Sequence, residues 1–304
     1  MPGPCPACGG SLRAWRRAPD HEPSSPATRL LERCAACGTA VTAEPPAPFA
    51  DAHETGAYRP GAPRGARVAA PLLRAFDRRR LALLAEAGAS PPGPLLDAGA
   101  GRGRFVASAR AAGWDARGIE PSARADAPHV ERVSIEAARV PPGSVGAVSL
   151  WHVLEHVDDP AGALARVREW LRPGGVLLVG VPNLASLQAR VGGPRWYHLD
   201  LPRHRTHFTA RGVTLALERA GFEVLRTDHV LLEHNPFGLW QSLVSRATPT
   251  TSWLYHALKR NAPLRAADAV PTALALPLAP LAAAAELAAG LAARGGTIAV
   301  CARR

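Results

Sequence analysis

Lysine is almost absent from this sequence. Of its 36 basic residues one is lysine, Lys259, and the rest are arginine. A net charge of +11 would ordinarily point to nucleic acid or another anionic partner. An excess made of arginine, beside abundant alanine, glycine and proline, reads instead as composition bias. No basic run exceeds Arg78-Arg79-Arg80, which reads as a solvated helix face. Nucleic acid is therefore not the expected partner. Cysteine is scarce as well, at five residues, and the start of the chain lacks the basic stretch and apolar core of a secretion signal. The expected location is the cytoplasm, where thiols stay reduced and clustered cysteines serve as metal ligands rather than disulfides.

No apolar run reaches the roughly 20 uninterrupted residues that span a bilayer. The longest, 269–293, carries no charge up to residue 285 but contains Pro271, Pro277 and Pro280. The preferred reading is a buried helical hairpin or cap broken at the prolines. The other is a membrane-surface contact or lid over a lipid-like substrate, which would make the protein membrane-peripheral. Arg260, Arg265 and Arg294 flank the run and suit either.

The sequence divides into three blocks. Residues 1–42 hold four of the cysteines, residues 43–70 form a Pro/Ala/Gly-rich linker, and 71–304 form the main domain. A helix is expected over 71–87, with Leu72, Leu73, Phe76, Leu81, Leu83 and Leu84 at helical spacing. Short apolar runs follow at Leu95–Ala98, Ala116–Glu120, Val130–Val133, Gly146–Leu150, Val176–Val181, Phe222–Arg226 and Thr297–Ala302. Helical stretches separate most of them, so the expected fold is α/β, a doubly wound, mostly parallel seven-stranded sheet. An apolar helical insertion at about 235–295 interrupts the pattern before the last strand. With 47% hydrophobic residues, the chain can bury a sizeable core.

Cys5-Pro-Ala-Cys8-Gly and Cys34-Ala-Ala-Cys37-Gly are two C-x2-C knuckles separated by 25 residues. Two intervening residues let both thiolates of one tight turn reach the same ion, and four thiolates complete the closed tetrahedron of a structural Zn2+ site. A small N-terminal zinc ribbon is thus expected, with Cys5, Cys8, Cys34 and Cys37 as ligands. The segment between the pairs is not densely basic and its one aromatic is Trp15, so it does not read as a nucleic-acid reader. Cys301 stands alone as a buried small hydrophobe.

The most informative stretch is Pro94-Leu95-Leu96-Asp97-Ala98-Gly99-Ala100-Gly101-Arg102-Gly103-Arg104-Phe105. A strand ends in an acid, and glycines at alternate positions lead into a helix, which lets main chain approach a ligand closely at the carboxyl end of the sheet. The dinucleotide fingerprint would need glycine where Arg104 stands. About twenty residues on, Gly118-Ile119-Glu120 ends a second strand with a carboxylate at the spacing suited to ribose hydroxyls. The G-x-G-x-G turn behind an acid resembles the first motif of class I S-adenosylmethionine-dependent methyltransferases. Ser134-Ile135-Glu136 resembles the same family's acidic motif after the third strand. Leu150-Trp151-His152-Val153-Leu154-Glu155-His156 and Leu171-Arg172-Pro173-Gly174-Gly175 resemble its small-molecule branch. The resemblance covers about residues 90–230.

It implies S-adenosyl-L-methionine as cofactor, with Asp97, Gly99, Ala100, Gly101 and Gly103 at the turn and Glu120 with Pro121 at the ribose. Ile135 and Glu136 would take the adenine end, and Trp151 and His152 the methionine end. His152, Glu155 and His156 also match the H-x-x-E-H zinc-protease pattern, which is set aside because no third ligand is evident. The stretch from Trp196 to Thr209 is unusually polar for a connecting loop and is expected over the cofactor pocket. A base for a hydroxyl or acidic-carbon acceptor would come from His198, His204 or His207, with Asp200 as orienting partner. Tyr58 is a weaker candidate for closing the site. The leading expectation is methylation of a small-molecule or lipid-like acceptor by backside transfer. The alternatives are an RNA methyltransferase that docks RNA through the zinc module, and a zinc-containing scaffold that has lost activity. Against the RNA reading, the Asn/Asp-Pro-Pro-aromatic motif is missing after the fourth strand. The intact Asp97, glycines and Glu120 speak against the scaffold.

Overall fold

The computed structural model describes residues 3–23, 25–43, 66–122 and 125–304. Tyr58 and most of the expected linker lie outside the described residues. The N-terminal strands are β1 (Leu12–Pro19), β2 (Thr28–Cys34) and β3 (Ala40–Thr42). Then come β4 (Pro94–Ala98), β5 (Asp115–Ile119), β6 (Val130–Glu131), β7 (Val145–Trp151) and β8 (Leu171–Pro182). The last are β9 (Thr206–His207), β10 (Glu223–Asp228) and β11 (Thr297–Arg303). Helices α1 (Ala66–Glu86), α2 (Arg104–Ala111), α3 (Pro160–Trp170), α4 (Leu187–Gly192) and α5 (Ala210–Arg219) precede four more. Those are α6 (Asn235–Val244), α7 (Trp253–Leu258), α8 (Ala266–Ala275) and α9 (Ala279–Leu291). Helix α1 starts five residues before the position expected and carries Pro71 inside it rather than at its start.

The described chain falls into two compact units. The first contains the cysteine segment, Pro182–Gly212 and Asp228–Ile298; the second contains Arg67–Val181, Val213–Thr227 and Ala299–Arg304. A seven-stranded sheet runs β10-β11-β8-β7-β4-β5-β6. The pairs β4/β5, β4/β7, β5/β6 and β7/β8 are parallel. Every residue of β7 is buried, as is β8 from Gly175 onward, so both read as continuous apolar runs because helices cover both faces. From β4 the chain steps outward through β5 and β6, then returns to β7 on the other side. In open α/β sheets ligands bind at such a reversal, outside the carboxyl ends of the strands. Helix α3 begins cleanly because Asp159 accepts the Gly162 amide at 3.0 Å and Pro160, at the first turn, has no amide to leave unsatisfied.

In the first unit, β1-β2-β3-β9 form a second sheet, with β1/β2, β2/β3 and β3/β9 antiparallel. Its core joins Ala18, Leu31 and Ala40 of the N-terminal strands to Leu184, Ala189, Trp196, Leu199 and Leu201. The cysteine segment therefore closes its core with residues from the middle of the chain.

The 269–293 run differs from the preferred expectation. It is helical but not buried: α8, a 3-10 turn at Leu276–Leu278 and α9 make a 26-residue run, Ala266–Leu291, and only 22% of its most apolar stretch is covered. The prolines do not break it into a hairpin. Pro277 and Pro280 fall in the first turns of successive helical pieces, where a missing amide is tolerated, and Pro271 sits within α8. By length and composition this helix could cross a membrane.

Candidate functional site

Strand β4 ends in Asp97, whose carboxyl is buried. Burial pushes it up to about 6, opposed by the guanidinium of Arg80. The chain then turns sharply, and the amides of Gly99 and Ala100 both donate to the Ile119 carbonyl, at 2.8 and 3.0 Å. The glycines of this turn do different work. A Cβ on Gly99 would lie 2.2 Å from Val153, and one on Gly103 would crowd Ala127 and Val130 at 3.0 Å. At Gly101 (φ 55) a Cβ would meet nothing within 4 Å. The first and third glycines make room for protein; the second borders open space.

The register Ala98↔Ile119 sets Glu120 beside that turn. One Glu120 carboxylate oxygen accepts the Gly101 amide at 2.9 Å, and the other accepts the amide and hydroxyl of Ser122 at 3.1 and 2.5 Å. The acid is thereby held toward the turn. Pro121 follows, with its carbonyl 3.5 Å from Arg132 Nε. Ile135 is buried and its carbonyl accepts Arg166 Nε at 3.0 Å, whereas Glu136 is exposed.

At the end of β7, Trp151 packs against Gly180, where any side chain would strike the indole. His152 has φ 56, a left-handed conformation uncommon outside glycine and typical of functional positions. Its Nδ1 lies 2.9 Å from Oε1 of buried Glu155. Arg80 was missed from sequence. Read there with Arg78 and Arg79 as a solvated face, it is in fact buried, with its guanidinium 4.2 Å from the Trp151 ring centre and 5.6 Å from that of Phe105. The spacing held a clue: position 80 shares a helix face with Phe76, Leu83 and Leu84.

In the first unit the sulfurs of Cys5, Cys8, Cys34 and Cys37 all lie within 4.8 Å of one another. Cys5–Cys37 are 3.7 Å apart and Cys8–Cys34 3.5 Å. Thiolates about 2.3 Å from a tetrahedral ion stand about 3.8 Å apart, so the cluster fits one metal. The two knuckles repeat the same backbone: Gly9 and Gly38 share φ 76, and each donates to the carbonyl of the first cysteine of its pair. Burial acts to raise the Cys34 thiol, but the amides of Cys37 and Ala36, together with the thiols of Cys8 and Cys37, outweigh it and bring Cys34 down to about 7.

The polar loop also belongs to the first unit. His204 Nδ1 sits 2.9 Å from the His198 carbonyl, and its Nε2 is 3.8 Å from Asp200. His198 Nε2 is 3.4 Å from the Thr297 hydroxyl. His207, in β9, lies opposite Ala40, with its Nε2 3.1 Å from the Thr42 hydroxyl. Burial lowers His207 and His21 to about 3 and His256 to about 4. These three stay neutral when folded and take up protons on unfolding below about pH 6.5. Glu286 and Asp97, raised by burial to about 7 and about 6, act in the opposite sense. Three histidines against two carboxyls leave about one proton taken up on unfolding between about pH 4.5 and 6. Stability should therefore fall by about 1.4 kcal/mol per pH unit of acidification in that window. Denaturant titrations at pH 6 and pH 5 check this; stability that held constant or rose on acidification would refute it.

The reversal beside β4, the glycine turn and the carboxylate ending β5 define a cofactor-binding α/β fold of the class I methyltransferase kind. Residues 68–227, more than half of the chain, match the family described as Methyltransferase domain, and the chain belongs to that family. It is 38% identical over 85 residues to a probable S-adenosylmethionine-dependent methyltransferase of Mycolicibacterium smegmatis, covering 28% of this chain and 31% of that protein. It is 45% identical over 58 residues to an uncharacterized 37.1 kDa protein in transposon TN4556 of Streptomyces fradiae, covering 19% and 17%. The chain thus spans less than a third of the length of these curated relatives. Among solved structures, the cyclase SpnF is similar at TM-score 0.49 and 20% identity, over 81% of this chain and 97% of that one. Geranyl diphosphate C-methyltransferase from Streptomyces coelicolor A3(2) is similar at TM-score 0.47 and 16% identity, over 82% and 87%.

Proposed function

We propose that the protein transfers the methyl group of S-adenosyl-L-methionine to a small-molecule or lipid-like acceptor, and that its four cysteines hold one structural zinc ion. The observation that carries the reading is the Glu120 carboxylate fixed against Gly101, whose outer side is open. The cofactor, when bound, supplies an electrophilic methyl on a sulfonium that is itself a good leaving group. What remains for the chain is to bind, align and keep water out. Gly101 lets main chain come close; Glu120, with Pro121 next to it, takes the ribose hydroxyls. Ile135 and Glu136 take the adenine end, and Trp151 and His152 the methionine end. Asp97, Gly99, Ala100 and Gly103 shape the turn. For an acceptor that must lose a proton, we assign the base to His198 or His204, with Asp200 beside His204. His207, lowered by burial to about 3 and bonded to Thr42, is too weak a base for the role. The cysteine cluster has no open ligand position, so zinc there is structural.

Calorimetric titration with S-adenosyl-L-homocysteine tests the cofactor. Glu120→Gln removes a charge that hydroxyls would bind, so affinity should drop by about ten- to a hundredfold with the thermal midpoint little changed. Unaltered affinity refutes the ribose assignment. Incubation of a cell extract with methyl-labelled cofactor separates the acceptors: label is expected in small molecules or lipids, and label in RNA defeats this choice.

A further inference from the structure

We propose that the outward face of α8–α9 docks on an anionic phospholipid surface, with the helix lying along the membrane plane. The run of 26 residues is about 39 Å long. It has two unlike sides. Ala275, Ala279, Ala282 and Ala285 pack against Leu239, Trp240 and Val244 of α6. On the other side Val270, Leu274, Leu278 and Leu281 recur at helical spacing and are exposed, Leu274 by 76% and Leu281 by 68%. Exposed apolar patches of this kind mark interaction surfaces rather than ordinary solvated faces.

Charge chooses the occupant. Between residues 259 and 294 the acids are Asp268 and Glu286, and both are buried. Asp268 accepts the amide and hydroxyl of Thr250 at 2.9 and 3.0 Å, and Glu286 accepts the Gly296 amide at 2.6 Å. Lys259, Arg260, Arg265 and Arg294, at the ends of the run, are all exposed. An apolar stripe with cations at its ends and its acids turned inward matches a lipid interface bearing negative headgroups. A second copy of this chain fits less well, since two-fold pairing would set these cations against themselves with no exposed acid of the segment to meet them. Crossing the bilayer fits less well too. The alanine side is packed on α6, and the Trp240 indole donates to the Ala275 carbonyl at 2.8 Å.

The test is flotation of the full chain with vesicles of phosphatidylcholine, with and without phosphatidylglycerol. Binding is expected to the anionic vesicles and to be released by alkaline carbonate. Leu274→Glu with Leu281→Glu should cut it about tenfold or more. Arg265→Glu with Arg294→Glu, at exposed positions outside the packed side, should abolish the preference for anionic lipid. Each variant is checked by an unchanged thermal midpoint. The proposal is overturned by failure to float with either vesicle, by equal binding to both, or by retention through carbonate washing. A solution dimer that the two Leu→Glu changes dissolve, without vesicle binding, overturns it as well.

Discussion

Cys5→Ser combined with Cys8→Ser should release the metal and unfold the small sheet of the first unit. One knuckle lost leaves two thiolates, too few for a closed tetrahedral site. Structural zinc contributes about 10–16 kcal/mol of apparent binding free energy in small zinc peptides, as much as the whole stability of an ordinary domain. The sheet has little to replace it: β3 spans Ala40–Thr42 and β9 spans Thr206–His207. Damage should also spread beyond the N-terminal segment, because the Cys37 carbonyl accepts the Thr209 hydroxyl at 2.7 Å and Thr42 is bonded to His207. Elemental analysis should find about one zinc per chain in the parent protein and none in the variant. Hydrogen exchange should show protection lost in β1–β3 and in β9. Parent protein without metal, or unchanged protection after the substitution, would eliminate the zinc site.

Gly101→Asp should abolish cofactor binding and leave the fold standing. Aspartate tolerates the left-handed conformation at φ 55, and its Cβ would meet nothing within 4 Å. Its carboxylate, however, would enter the open side of the turn next to Glu120 and add a like charge where ligand and main chain must meet. A loss of at least about a hundredfold in affinity, about 2.7 kcal/mol, is expected by calorimetry. Gly99→Ala makes the contrast. There the new methyl would lie 2.2 Å from Val153, so the cost falls on packing and the thermal midpoint should drop instead. If Gly101→Asp bound cofactor as the parent does, the turn would not be the cofactor site.

The large sheet was legible from residue pattern. Each of the seven apolar runs became one of its strands; β7, β8 and β11 stand out locally because strands covered on both faces are apolar nearly throughout. The long insertion was legible as helix but not in its exposure. Alanine and leucine count alike as apolar, yet only the alanine side packs on α6 while the leucines face outward. Arg80 shows the same blindness in reverse: in a run of three arginines charge does not mark the one that turns inward onto Trp151, and only its spacing from Phe76, Leu83 and Leu84 hints at it.

The amino-acid sequence alone determined the two cysteine knuckles, the glycine turn after Asp97 and the succession of strands. Each depends on neighbouring residues whose backbone preferences and spacing suffice to specify it. Tertiary structure alone decided that Thr206–His207 completes the cysteine sheet, that Arg80 lies under Trp151, and that the acids of α8–α9 point inward. Those outcomes arise from contacts between segments far apart in the chain, where burial and hydrogen bonding select one orientation among several that local chemistry allows equally.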